Sequence, residues 1–424
     1  MKRYILPVVV LVCFSTQTSN AQFLNKLKKK AEAAVNKAID EQTVPPKKQP
    51  KQAEQPAPAN TPSAEQKTTE AAAQSTPLQS YEKYDFIPGQ NLIYTDSFKG
   101  ESIGELPAGW NSNGNGAVTK LNNFEGNWMR LDQNGVYLPG KALASTDNFT
   151  LEFDVIFDLK SNGYGFPEFF FGMIAAGKKP VADNSFLNDQ VGSRSFKIEV
   201  SNGTDRSNIR IGSYNGYSSY FRSPVKSNDD IPKKFGKIVH VSLQAQKERL
   251  RLWIEGDKII DAPKALPAGT DIFNQLFFQL GSSNYTNQQI GIYVSNIKVA
   301  QGAADMRNKL VNEGRFSTSG ILFDVNAATI KPESNGILTE LAAVLKDNPS
   351  ININIIGHTD SDGNAAANQK LSLARAESVK NTLVNAGIDA ARLKVAGKGA
   401  SQPLASNTTE TGKAQNRRVE FIKL

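Results

Sequence analysis

An acid and a guanidinium fifteen residues apart frame the chemistry open to this sequence: Asp360, in Gly357-His358-Thr359-Asp360-Ser361-Asp362-Gly363, and Arg375, in Leu371-Ser372-Leu373-Ala374-Arg375-Ala376. A guanidinium is a planar fork that holds a carboxylate through two parallel hydrogen bonds, a geometry an ammonium cannot reproduce. A carboxylate beside it accepts hydrogen bonds from an ammonium, so the pair suits a zwitterion whose two charges sit on one carbon. Asn368, both donor and acceptor, can bridge the two halves, and backbone N–H groups near the loop and the following helix start can add donors. Taken alone, these two residues are also compatible with a structural ion pair.

The surrounding pattern positions them. Ile-Asn alternation over 351–357 predicts a strand that delivers Asp360 at its end, and Leu371, Ala374, Ser378, Val379, Thr382 and Leu383 at helical spacing predict a helix over 368–386 with Gly387 as its stop. A second helix is predicted over 332–347, with Pro332 in its first turn and Leu338, Leu341, Ala342 and Leu345 as its stripe. Strands are predicted at 320–323, 393–397 and 418–423, after a charged connector over 302–316. The sum is an α+β domain over 317–424 with a mixed sheet and two main helices, within ordinary domain size.

The strings Gly-His-Thr-Asp at 357–360, Asn368, Leu-Ser-x-x-Arg-Ala at 371–376 and Asn416-Arg417-Arg418-Val419-Glu420 occur in this order. Over 319–424 the chain resembles the OmpA-like peptidoglycan-binding domain. The resemblance implies binding, without turnover, of the peptide stem of peptidoglycan, chiefly its diaminopimelate. It matches Asp360 and Arg375 to the family's acid and arginine, Thr359 and Asn368 to polar neighbours, and Phe323-Asp324-Val325-Asn326 to the exit of the first strand, so Asp324 and Asn326 join the candidate set. Asn416, Arg417 and Arg418 are read as support for the last strand. The ligand implies a Gram-negative envelope and the periplasmic face of the outer membrane, with outer-membrane surface or envelope proteins as further partners. A flagellar-stator relative would need a transmembrane helix and a peptidoglycan-associated-lipoprotein type a lipidated cysteine near the mature start; neither is legible.

Over 90–301 the signal changes to period-two alternation punctuated by Gly, Asn and Ser, as in 151–155 and 196–200. Further strands are predicted at 128–131, 169–174, 208–212, 238–245, 250–255, 258–261, 276–281 and 291–300, with a hairpin turning at Gly256-Asp257. Many short strands without helical runs predict an antiparallel β-sandwich. A membrane barrel would need strands of about nine to eleven residues with a lipid-facing apolar band. The 253–258 hairpin and the 292–299 ending resemble the closing parts of concanavalin-like, laminin-G-like jelly rolls. A glycan ligand for the sandwich, with the last domain as wall anchor, is therefore an alternative function. Glu152 and Asp154 are similar to the paired acids of jelly-roll glucanases, but Phe157 stands where that family has its third acid. The pair is read as a solvated strand face, and no enzyme is expected.

The start of the chain reads as an export signal: Lys2 and Arg3, an apolar run over 4–14 and Ser19-Asn20-Ala21 before Gln22. The sole cysteine, Cys13, lies inside that run after the bulky Val12, which leaves residues 22–424 without disulfides. A basic amphipathic helix is predicted over 22–40, suited to an anionic surface or left as a solvated lead-in, followed by a disordered Pro/Ala/Gln-rich linker over 41–85. The formal charge of +8 over 424 residues falls to +6 without Lys2 and Arg3 and is spread along the chain, which argues against nucleic acid. Two histidines far apart, His240 and His358, make no zinc site, and Asp360-Ser361-Asp362-Gly363 lacks the far acid of a calcium loop. No metal or cofactor is expected.

Overall fold

Strand Asn148–Asp158 is buried along nearly its whole length, on both faces. Leu151, Phe153, Val155 and Phe157 point inward, where Phe153 meets Phe171 and Phe278 edge to face at 4.8 and 5.2 Å between centroids. These contacts join two antiparallel sheets. One runs, in order, Asp257–Ala262, Arg249–Ile254, Ile238–Gln246, Asn148–Asp158, Gly291–Gln301, Trp128–Leu131 and Ala117–Thr119, with Asn91–Asp96 added beside Gly291–Gln301. The other runs Ser218–Arg222, Ser207–Asn215, Arg194–Ser201, Phe169–Ala175, Gln275–Leu280, Val136–Leu138 and Asn111–Ser112, with Lys226–Asn228 beside Ser207–Asn215. The arrangement is the expected sandwich. The computed structural model describes residues 85–424 apart from 142, 144, 145 and 303–305. The predicted export signal, basic helix and nearly all of the linker lie outside the described residues. No helix among the described residues is long and apolar enough to cross a membrane.

Glu152 and Asp154 do share one face, as alternation requires, but that face is not solvated. Both are buried, and His240 on the neighbouring strand sits between them, Nδ1 2.7 Å from Asp154 Oδ1 and Nε2 3.6 Å from Glu152 Oε2. The strand register slips between Ser295 and Lys298, and at this bulge Asn296 takes a left-handed φ of 52°. An asparagine tolerates that conformation, and the bend aims its amide at Asp154 Oδ2, 2.8 Å away. Both acids are thus engaged by one imidazole, so the pair is a buried charged cluster and not the solvated strand face expected.

The segment 85–90 crosses this same outer face. Trp253 Nε1 and Lys258 Nζ donate to Asp85, Phe86 packs edge to face on Trp253 at 5.2 Å, and Gly89 N donates to Thr150 Oγ1. The linker boundary expected at 85 therefore falls before Asp85, because that carboxylate is already pinned to the sandwich. Beyond it, Ile87 packs against the core of the C-terminal domain, and a Cβ on Gly320 would lie 2.4 Å from Pro88 Cγ. Gln415 Nε2 donates to the Leu92 carbonyl at 2.9 Å, beside a small cluster of Leu92, Ala300 and Ala414.

In the C-terminal domain, Arg315–Thr318, Val419–Lys423, Ile353–Gly357 and Leu393–Gly397 form a mixed sheet in that order, only the last pair parallel. Helices Asn335–Asp347 and Ala365–Asn385 are the two expected ones. The connector reading of 302–316 is corrected: it contains helix Met306–Val311 and the start of the edge strand. That strand was expected at 320–323, where the structure has only a bridge from Phe323 to Ile330. Phe316 decides the matter physically, since it is the residue that stacks on Phe421 of the last strand, 6.1 Å between centroids, in the core. A short helix, Glu410–Asn416, was not anticipated.

Burial opposes the charge on His240, but the hydrogen bonds and charges of Asp154 and Glu152 outweigh it and raise its pKa to about 10. The free value is near 6.5, so this contribution to stability is complete below about pH 6.5 and is lost as pH rises toward 10. Denaturant unfolding at about pH 6 and 9.5 is expected to show that alkaline loss in the native sequence and not in His240→Gln, which should itself cost ~3–5 kcal/mol at pH 6. Equal alkaline loss in both proteins would refute the role of the imidazolium.

Candidate functional site

The loop after strand Ile353–Gly357 is fixed at both ends. A Cβ at Gly357 would lie 2.0 Å from the Ser372 carbonyl, so the strand end and helix Ala365–Asn385 approach as closely as only glycine permits. At the other end, Asn364 caps the helix, accepting from Ala366 N at 2.9 Å and Ala367 N at 3.2 Å. The donors expected from the helix start are therefore partly taken. Asn368 Nδ2 donates to the carbonyls of Asp360 and Asp362, at 3.3 and 2.9 Å, and shapes the loop. Thr359 does similar work, its hydroxyl donating to the Asp360 carbonyl at 2.8 Å and its N–H to the Gly399 carbonyl at 3.0 Å.

Asp360 is held at the surface end of this loop, 8% exposed. Its Oδ1 accepts from Asp362 N at 3.1 Å, and its Oδ2 accepts from Arg417 Nη1. Arg417 is thus a member of the site, which corrects its reading as support for the last strand. The signal was present, since the run Asn416-Arg417-Arg418 puts three polar side chains at one strand entrance, and three cannot all face the same way. The other two do support the fold: Asn416 bonds Leu404 N, Ala405 N and the Ala405 carbonyl, and Arg418 is paired with Glu420 at 2.6 Å.

Arg375 approaches from the helix. Its Nε donates to the Ala327 carbonyl at 3.0 Å, and its guanidinium lies 4.9 Å from the Phe323 ring centroid. The terminal nitrogens have no partner among the described residues. Burial pushes its proton affinity down, and nearby Arg417 adds to that while Asp360 opposes it; a guanidinium stays charged regardless. Asp324 and Asn326 stand exposed on the turn that supplies the Ala327 carbonyl, where Asp324 O accepts from Ala327 N and Asn326 adopts φ 52°. The backbone of this turn touches Arg375 through the Ala327 carbonyl.

Two cations missed by sequence reading complete the surroundings. Asp362 is paired with Lys99 of the sandwich at 2.6 Å and with Lys413 at 3.0 Å, and these bonds hold its carboxyl below the usual range. Lys99 lies 263 residues away in sequence, so no local pattern could have marked it. His358 is buried 3.5 Å from Glu420, and burial, with the charge of Arg418 adding to it, pushes its pKa down to about 4. It is a neutral core residue. No group of three or more His, Cys, Asp or Glu residues placed to hold a metal occurs among the described residues.

Residues 322–417 match the model of the OmpA family. The chain is 47% identical over 103 residues to the probable lipoprotein YiaD of Escherichia coli, a match covering 24% of this chain and 47% of that protein. It is 38% identical over 136 residues to the outer-membrane lipoprotein YfiB of Pseudomonas aeruginosa, covering 32% of this chain and 79% of that one. Among solved structures, the peptidoglycan-associated lipoprotein of Burkholderia pseudomallei is 30% identical, with 26% of this chain and 89% of that chain covered and a TM-score of 0.24. The chain spans about half the length of the first of these curated relatives, or less in outer membrane porin F of Pseudomonas fluorescens, at 31%.

Asn368→Ala leaves the carbonyls of Asp360 and Asp362 without their donor. The expected result is a loss of ~1–3 kcal/mol in stability, with faster amide exchange confined to residues 360–363. Unchanged exchange in that loop would show that Asn368 does not shape it.

Proposed function

This chain belongs to the OmpA family, and from that premise we propose that it is a non-enzymatic cell-envelope protein of a Gram-negative cell that binds peptidoglycan. The ligand group is the diaminopimelate of the peptide stem, met at the periplasmic face of the outer membrane. The observation that carries the reading is the pairing of Asp360 with Arg417 beside an Arg375 fork whose outer nitrogens have no partner among the described residues.

Diaminopimelate presents an ammonium and a carboxylate on one carbon. Its carboxylate fits the open edge of Arg375, and its ammonium fits Asp360. Arg417, 44% exposed in its side chain, can turn from Asp360 to the same carboxylate. Binding is then an exchange of partners: Asp360 trades one cation for another and is never left bare, which matters because an unpaired buried charge is costly. Lysine at the same stem position has the ammonium and lacks the carboxylate beside it, so Arg375 would be left unanswered. Neither an activated nucleophile nor a water-positioning base is needed, since nothing is cleaved.

The test is co-sedimentation of the whole chain with insoluble peptidoglycan containing diaminopimelate. Arg375→Lys keeps the charge and loses the fork, and Asp360→Ala removes the acid; each, verified as folded, is expected to weaken binding about tenfold or more, as loss of a charge-assisted hydrogen bond implies. Free diaminopimelate should compete, and 1,5-diaminopentane, which has the ammonium groups without the carboxylates, should not. Undiminished binding by both variants would dismiss the site.

A further inference from the structure

The outer face of the second sheet, turned away from the shared core, carries a cavity of about 200 Å³ lined by Asp189, Gln190, Ser195, Lys197, Tyr214 and Phe277. Its floor follows from strand register. Ser195 pairs with Tyr214 on one side and Ile174 on the other, and Lys197 pairs with Gly212 and Gly172. Two glycines flanking Lys197 put no side chain beside it, so the face is low there. A Cβ at Gly172 would lie 2.0 Å from the Phe196 carbonyl, which keeps that position bare. The wall is the stretch 189–191, held in place by the turn of helix before it, whose Phe186 and Leu187 are buried against Ile174, Leu138 and Phe277.

The polar groups of this cavity are not accounted for by the fold. Ser195 is 2% exposed and its Oγ has no hydrogen-bond partner, although it lines an open cavity. A buried hydroxyl left unpaired costs ~1–3 kcal/mol, and such groups are rare enough to require an explanation. Lys197 Nζ lies 5.1 Å from the Phe170 ring and 5.9 Å from the Tyr214 ring, between two aromatic faces. Asp189 accepts a hydrogen bond from the Tyr217 hydroxyl, and Gln190 Nε2 donates to the Phe186 carbonyl.

The size and chemistry narrow the occupant. A cavity of about 200 Å³ is below the ~300–1,000 Å³ of drug-sized sites, so it takes one ring and not a peptide. With one carboxylate and one ammonium in its lining, the cavity favours neither an anion nor a cation. A compact ring is required that offers several hydroxyls, each donor and acceptor, together with an apolar edge for Tyr214. We propose that this cavity binds a single pyranose unit of an envelope glycan, with the Ser195 hydroxyl as the buried partner of one sugar hydroxyl. The sugar comes from the wall's own glycan strand or from another envelope polysaccharide, and the two sources differ in the N-acetyl group.

Saturation-transfer NMR on the whole chain with N-acetylglucosamine, glucose, galactose and mannose tests this. At least one sugar is expected to show transfer, N-acetylglucosamine if the source is the wall strand and one of the others if it is not. Ser195→Val, which fills the space, should abolish transfer. Ser195→Ala should lower affinity several-fold with a melting temperature that is raised and not lowered, so the role of the hydroxyl is tested even if the valine protein folds poorly. The Asp360→Ala/Arg375→Ala double variant should retain transfer, which separates failure of this site from failure of the stem site. Transfer from none of the four sugars, or equal transfer in native and Ser195→Ala proteins, would overturn the proposal.

Discussion

A carboxylate withdrawn from water must be paired, and the binding end of this protein is arranged around meeting that demand at Asp360. The glycine contact at Gly357, the Asn364 cap and the two carbonyls gathered by Asn368 all set the loop so that Asp360 meets Arg417. Arg375 is restrained from the opposite side, through one nitrogen on a backbone carbonyl and one face on Phe323. What remains is a fork with fixed direction and an acid with a replaceable partner. Preorganisation of this kind lowers the ordering that binding would otherwise require.

The sandwich solves the same electrostatic problem with the opposite outcome. Glu152 and Asp154 are paired by His240, which is as buried as they are, and Asn296 closes one remaining lone pair of Asp154. The cation of that group, His240, is 8% exposed in the side chain and cannot turn away from the acids. Exposure of the cationic partner separates the two cases: Arg417 reaches solvent and His240 does not. Acid–base pairs of similar composition therefore differ in whether the cation can turn to solvent: it can at Asp360 and cannot at Asp154.

That distinction also explains how far the sequence was legible. The strands at 128–131 and 393–397 were readable to the residue from their apolar runs, although burial along them does not alternate strictly. The period of two correctly placed Glu152 and Asp154 on one face, but alternation reports only which side a residue faces. What covers that side is set by the segment beginning at Asp85, distant in sequence. The same limit applies at the site. Asp360, Arg375 and Asn368 were marked by local strings, whereas the partnership of Arg417 with Asp360 spans 57 residues and that of Lys99 with Asp362 spans 263. The edge strand was misplaced because Arg315 and its charged neighbours read as connector, although one aromatic, Phe316, was enough to seat it.

The strap from Asp85 to Leu92 has a consequence for how the two domains act. It is anchored on the sandwich through Trp253 and Thr150, yet Ile87 is part of the packing of the C-terminal core and Pro88 fits against Gly320. A fragment beginning after the sandwich would lose that packing and expose apolar surface, so the core of the C-terminal domain draws on the strap. Lys99 carries the junction as far as the binding loop, where it neutralises Asp362 two residues from Asp360. An exposed ion pair of this kind contributes little stability. Its effect is positional: the sandwich is set at a defined side of the loop that carries Asp360.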